Sequence, residues 1–348
     1  MFIAVRDLRF ARGRFVLLGS IIALMTAMVV LLTGLTAGLG AASVSAVAAL
    51  PVDTLTFQRP ASGQEISFAT SNLPADTVGA VADAPGVGAA YPLGAATTRL
   101  EAGDRSAAVT VLGTDPALYP TLQRGRSPAA GEVVLTNDLS ESYSVGDTVV
   151  LGGQRVTVTG IVATTSFNHL PVVYTSTSTW QRIARTDGIT AVASTGSRPP
   201  DTDVRTSVAR DAAFAGVGGY SSEQGSLQLM RVLLLVVSAL VVGAFFTVWT
   251  MQRGADLAVV RAIGASRGYL LRDALAQAGI VLLAGAAVGA AVAAGLGALA
   301  SRGVPFVLDV RTVGVPLAAV IATGALGAVF SVRRVSTADP LTALGAAR

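Results

Sequence analysis

The chain has 348 residues, 52 % of them hydrophobic and only 13 % charged, with a mean hydropathy of +0.62, which is too apolar for an ordinary soluble protein and points to membrane-spanning helices. It holds no cysteine, which excludes disulfides, zinc–thiolate and iron–sulfur sites and leaves the redox compartment unread. All 25 basic residues are arginine; a phosphate-binding P-loop needs its lysine, so this polypeptide does not hydrolyse ATP by that route.

Residues 1–14 carry Arg6, Arg9, Arg12 and Arg14 against Asp7, while Met1, Ala4, Leu8, Ala11 and Phe15 share one helical face. They read either as an interfacial segment on the inner membrane surface or as a solvated basic leader that sets topology. Residues 15–50 are uncharged. The run far exceeds the roughly 7–15 apolar residues of a signal sequence, so cleavage near Ala46-Val47-Ala48 is not expected. It also exceeds the roughly 20 residues that cross a bilayer, which predicts a first span continuing as a stalk.

The block 51–220 changes period. Short β-branched stretches at 54–57, 108–112, 132–135, 148–151 and 155–162 alternate with Gly, Pro, Asp and Asn clusters, and Gly152-Gly153 is a tight hairpin signal. Residues 74–83 and 178–185 read as short helices, the second opened by a Ser or Thr cap. Pro199-Pro200-Asp201 reads as a boundary before a last helix-prone stretch. The sole histidine, His169, sits in a Phe-Asn-His-Leu-Pro loop without a second imidazole, and reads as a surface or packing residue rather than a catalyst or metal ligand.

A second stalk and span are predicted over 221–252, a cytoplasmic coupling segment over 253–272, a third span over 273–300, an outer loop over 301–312, a fourth span over 313–331 and a tail over 332–348. In the third span Gly285, Gly289, Ala293 and Gly297 recur every four residues, a ridge suited to close packing, expected against the fourth span. The block 51–229 has 11 arginines against 16 acidic residues, whereas the two ends and the 252–273 loop are net basic. The positive-inside rule then puts both termini and that loop in the cytoplasm and the large domain outside. The excess arginine is thereby explained by topology and contact with membrane lipid, and no nucleic-acid partner is expected.

Within the coupling segment, 255–263 reads as a short helix ended by Gly264, with Ser266 capping the next helix. The stretch Asp256-Leu-Ala-Val-Val-Arg-Ala-Ile-Gly-Ala-Ser266 resembles the signature of FtsX-like and MacB-like permeases of ABC transporters, and Ala338-Asp-Pro-Leu-Thr-Ala-Leu344 is similar to that family's ending. Gly131-Glu-Val-Val-Leu-Thr-Asn-Asp-Leu139, Val145-Gly-Asp-Thr148 and Val156-Thr-Val-Thr-Gly-Ile161 resemble the MacB-type extracytoplasmic domain. The ordered set covers nearly the whole chain. It implies an α-helical membrane protein with four transmembrane helices plus a mixed α/β extracytoplasmic domain, a MacB-like permease fold.

The resemblance further implies a homodimer of permeases carried by two copies of a separate ABC ATPase that binds ATP and Mg, with no catalytic residue or bound cofactor in this chain. Leu257, Val260, Arg261, Ile263 and Gly264 would meet that ATPase. The chain departs from MacB in lacking a fused ATPase domain and from FtsX in its larger outer domain. Similar permeases include haem exporters of the HrtB type, lipoprotein-releasing permeases and peptide or antibiotic exporters. Regulation of a cell-wall hydrolase, or a sensor with no ATPase, are the other classes.

For haem, the residues that offer ligand chemistry are Met25 and Met28 in the first span and Tyr220, Glu223, Met230 and Arg231 where the second helix enters the membrane. A carboxylate or phenolate can ligate ferric iron, a thioether more weakly, and Arg231 could hold a propionate, which makes Glu223, Met28 and Tyr220 the candidate iron ligands. Against that stand ordinary packing for Met28 and snorkelling for Arg231.

Overall fold

The structure, a computed structural model, describes residues 12–252 and 266–336, which divide into a helical unit (to Gly38 and from Gly225) and a sheet unit, Leu39–Gln224. Residues 1–11, 253–265 and the tail from 337 lie outside the described residues.

Four long helices carry the apolar runs: α1 (Arg12–Ala48), then, after the sheet, α4 (Tyr220–Gln252), α5 (Arg267–Ala300) and α6 (Val310–Ser336). Among the described residues each contains a stretch long and apolar enough to cross a membrane. In the helical unit Phe15, Leu18 and Ile22 of α1 bury against Ala278, Val281, Leu282 and Ala286 of α5, with Val242 and Ala328 completing the cluster. Small residues set the spacing. A Cβ on Gly285 would stand 2.8 Å from the Gly19 carbonyl, and one on Gly289 would collide with the Ala23 carbonyl and Thr26. The glycine ridge of α5 therefore seats on α1, not on the fourth helix as its sequence suggested. The fourth helix reaches α5 elsewhere, where the Leu282 side chain lies over Gly324. Phe306, in the 301–309 loop, wedges its ring against Gly34 and Gly297, and Val307 N donates to Gly34 O at 3.1 Å. Asp309 then caps α6: its carboxylate accepts from Thr312 N at 2.6 Å while its own N–H donates to Thr312 Oγ1 at 2.8 Å.

The sheet unit is built on eleven strands, β1 (Thr54–Gln58), β2 (Val87–Ala102), β3 (Arg105–Thr114), β4 (Leu122–Gly125), β5 (Glu132–Thr136), β6 (Thr148–Leu151), β7 (Gln154–Val162), β8 (Ser166–Phe167), β9 (Leu170–Thr175), β10 (Ala191–Gly196) and β11 (Arg205–Ala209). Their order is β11-β1-β10-β2-β3-β9-β5-β7-β4, with β6 pairing β2 and β7 and β8 pairing β9. β3/β9 and β5/β7 are parallel and every other pair is antiparallel, so the sheet is mixed. Gly152 and Gly153 close the β6–β7 hairpin with positive φ at both positions, the backbone of a two-residue turn that L side chains resist.

Two short helices, α2 (Thr77–Ala82) and α3 (Thr177–Ala184), cover the sheet. Ser176 opens α3 by accepting from Thr179 N, as its serine cap predicts. Trp180 of α3 packs flat over the paired glycines Gly94 and Gly113, where any Cβ would collide with the indole. Phe57, Phe68 and Phe167 stack edge to face at 4.9 and 5.1 Å, and Val44, Ala46 and Val47 from the end of α1 bury in the same cluster.

The expected boundary at Pro199-Pro200 is corrected. The chain beyond it returns to the sheet as edge strand β11, whose Ser207 Oγ lies 2.9 Å from Thr56 Oγ1 and whose amide at Ser207 donates to Asp201 Oδ1 at 2.7 Å. That amide, together with Arg198, holds the Asp201 carboxyl below its ordinary value.

Candidate functional site

Tyr220 and Glu223 occupy the first turn of α4, three residues apart and therefore on one face. Within the sheet unit Glu223 meets the β8–β9 turn, while Tyr220 packs against the buried cluster that holds Phe167. Phe167 pairs Leu170, so Asn168 and His169 form a two-residue hairpin loop, both at positive φ (52° and 61°). Asn168 N donates to Ser43 O at 2.8 Å and His169 N to Ala42 O at 3.0 Å, both carbonyls on α1. His169 Nε2 stands 2.9 Å from Ser43 Oγ and 3.2 Å from Glu223 Oε2. A carboxylate oxygen only accepts, which assigns the proton to Nε2. Gln224 covers Gly40 of α1, and the Phe214 ring meets Tyr220 edge to face at 6.1 Å.

The remaining haem candidates lie in the helical unit. Met28 is 42 % exposed on α1 and Met25 half-buried; Met230 is 50 % exposed on α4. Arg231 NH1 donates to Gln228 Oε1 at 3.2 Å, and its Nε is buried without a hydrogen-bond partner among the described residues. The structure thus brings Glu223 together with a residue that sequence reasoning set aside, His169. The signal available for it was the Asn-His pair, two residue types that tolerate the left-handed region, in a loop with no glycine. The ATPase-contact candidates Leu257, Val260, Arg261, Ile263 and Gly264 lie outside the described residues. No group of three or more His, Cys, Asp or Glu side chains suited to a metal occurs among the described residues.

The sheet motifs that carried the resemblance do local structural work. Glu132 takes both Arg126 guanidinium nitrogens at 2.6 and 2.5 Å and the Ala129 amide at 2.9 Å, and the arginine bonds hold its carboxyl down at about 2. Asp147 accepts from Ser144 N at 2.9 Å and so fixes the turn into β6. Desolvation pushes the buried Tyr174 phenol up to about 12, and its hydroxyl lies 2.7 Å from Thr165 Oγ1.

Residues 15–207 match the MacB-like periplasmic core domain and residues 229–340 the FtsX-like permease C-terminal region. An uncharacterised ABC transporter permease of Mycobacterium bovis is 30 % identical over 99 % of both chains. A putative hemin transport system permease protein, HrtB, of Staphylococcus epidermidis is 23 % identical, again over 99 % of both. The periplasmic region of MacB from Actinobacillus actinomycetemcomitans aligns with 47 % of this chain and 92 % of its own at 15 % identity, with a TM-score of 0.37. The chain belongs to the MacB-like and FtsX-like family of ABC transporter permeases: a membrane protein with a large domain outside the cytoplasm that works with an ATPase partner.

Proposed function

We propose that two copies of this chain, with two copies of the ATPase, form an exporter that expels haem drawn from the outer part of the membrane. Similarity along the full length to a permease named for hemin transport carries this reading. The termini and the 253–272 segment face the cytoplasm, where the arginine excess belongs, and ATP with Mg acts in the partner subunit. The substrate need not cross a central channel. Movement of α1 and α4, passed to the sheet domain, would drive release.

The ligand chemistry of the candidate residues supports the choice of substrate. Glu223 and Tyr220 offer oxygen ligands to ferric iron and Met28 a thioether, while Arg231 offers an unpaired buried N–H to a propionate. The homodimer rests on α4, whose Leu229, Leu233 and Leu240 are 61–70 % exposed. Of its most apolar stretch only 11 % is buried, against 39 % for α1 and α5. Such a face suits lipid or a second copy.

Titrating the purified protein with haemin while following the Soret band tests the reading. We expect a saturable shift near one haem per chain or per dimer, weakened in Glu223→Ala and Met28→Ala. Unsaturable partitioning, unaltered by either substitution, would discard haem and bring lipoproteins, peptides, antibiotics or a cell-wall partner forward.

A further inference from the structure

We propose that His169 is the positioning residue through which the sheet domain grips the ends of α1 and α4 together, so that motion of either helix is passed to the centre of the sheet. The functional arm of this inference rests on the permease reading above; its structural arm does not.

The argument starts from an oddity of the turn. A two-residue hairpin with positive φ at both positions is ordinarily built from Asn-Gly, because glycine alone adopts the second position without a Cβ penalty. Here histidine stands at that second position with φ 61°. Its side chain is kept where the backbone would favour none, and an observed outlier of this kind points to a function for the side chain.

That function is visible in what the imidazole joins. One nitrogen, Nε2, reaches Ser43 Oγ on α1 and Glu223 Oε2 on α4, residues 180 positions apart in the sequence. Around it the turn is fastened to α1 by further bonds. Ser166 N donates to Ser45 Oγ at 2.8 Å, Ser45 Oγ donates to Ser166 O at 3.2 Å, and the Asn168 and His169 amides take the carbonyls of Ser43 and Ala42. The turn's attachment to α1 is therefore mostly backbone and survives loss of the imidazole, whereas its hydrogen bond to α4 is made by His169.

Behind the turn the wiring leads inward. Phe167 stacks on Phe68 in the core, and β9, which starts one residue after His169, lies mid-sheet between β3 and β5. A shift of α4 relative to α1 must either pull this turn, and β9 with it, or break the Nε2–Glu223 contact.

Because the chain has no cysteine, a label pair can be placed without background. Ala41→Cys on α1 and Ser221→Cys on α4, both exposed, would carry spin labels, and pulsed EPR would read their separation in the full-length protein with its ATPase. The key variant is His169→Gly, which keeps the left-handed turn and removes only the imidazole. Glu223→Ala removes the other partner, and Glu223→Gln keeps an acceptor oxygen for Nε2.

In the resting protein we expect one narrow distance, broadened at least twofold in His169→Gly and Glu223→Ala and restored in Glu223→Gln. Amide exchange at residues 167–170 should quicken by no more than a few fold, since the α1 bonds remain. With ATP and Mg, the wild-type distance and the exchange of β9 should change together, and in His169→Gly the distance should change alone. A His169→Gly distribution as narrow as wild type, or β9 still following the helices, would overturn the inference. A wild-type protein that binds its ATPase yet shows no nucleotide response would count against the permease reading, leaving the grip to be judged on the resting distances.

Discussion

The second and third spans are comparable in length and apolarity, yet they are used in opposite ways. From Gly279 to its end α5 consists of Ala, Gly, Val and Leu apart from Ile280, and its Gly285 and Gly289 bring its backbone against the carbonyls of Gly19 and Ala23 on α1. α4 presents Leu229, Met230, Leu233 and Leu240 outward. In lipid, apolarity alone does not pull helices together, since the acyl chains are equally apolar; close van der Waals contact does. Small residues therefore mark the fixed seam of this protein and large aliphatic ones mark the face left for lipid or a second copy. The sheet domain uses the same device where Trp180 lies on the bare backbone of Gly94 and Gly113.

The comparison can be broken most forcefully at Gly289. Gly289→Leu drives a side chain into the Ala23 carbonyl, which cannot yield, and should abolish folded protein in detergent, read as loss of a monodisperse peak in size-exclusion chromatography. Trp180→Ala leaves a cavity over the glycine pair and should cost about 3–5 kcal/mol in the sheet domain, measured by denaturant unfolding. The paired change Leu233→Ala with Leu240→Ala removes two exposed side chains. It should change the stability of the chain little, by about 0.5 kcal/mol or less, while weakening self-association in a dilution series. Equal destabilisation by the α4 pair and by Gly289→Leu would erase the distinction between seam and free face.

The smallest effect belongs to the exposed pair Arg126–Glu132. The Glu132 carboxyl is lowered from its ordinary 4.5 to about 2 by the hydrogen bonds from Arg126. A carboxyl lowered in the folded state adds stability that is present above the unfolded value and lost as pH falls through the folded one. The difference between wild type and Glu132→Gln should therefore be full above pH 4.5, shrink below it and vanish near pH 2, and solvent screening keeps it small throughout.

Much of this was legible in the chain. The long uncharged runs gave the four spans, and β-branched stretches gave β1, β3, β5, β6 and β7. The strand β2 was missed because its Gly-Ala-Ala-Tyr-Pro-Leu-Gly-Ala-Ala run lacks β-branched side chains; interior pairing with β10 and β3 makes it a strand where propensity does not. β9, interrupted by Pro171, and β11, hidden behind Pro199-Pro200, were missed for related reasons. The α5 ridge announced close packing but not its partner, because a row of glycines records how near another helix comes and nothing about which helix it is. His169 reads as a surface or packing residue in the chain, because the sequence cannot show that residues 43 and 223 flank residue 169. That Tyr220 and Glu223 stand together where the second long helix begins was readable from residue order and helical spacing alone.

The central claim is that an ATPase drives this chain to expel haem. It is tested most directly with the permease and its ATPase reconstituted in lipid vesicles loaded with haemin in the membrane, following haemin transfer to an external acceptor such as apo-albumin. The account predicts transfer that requires ATP and Mg and is reduced at least tenfold in Glu223→Ala, with hydrolysis stimulated by haemin. Transfer at the same rate with and without ATP, together with hydrolysis indifferent to haemin, would contradict it.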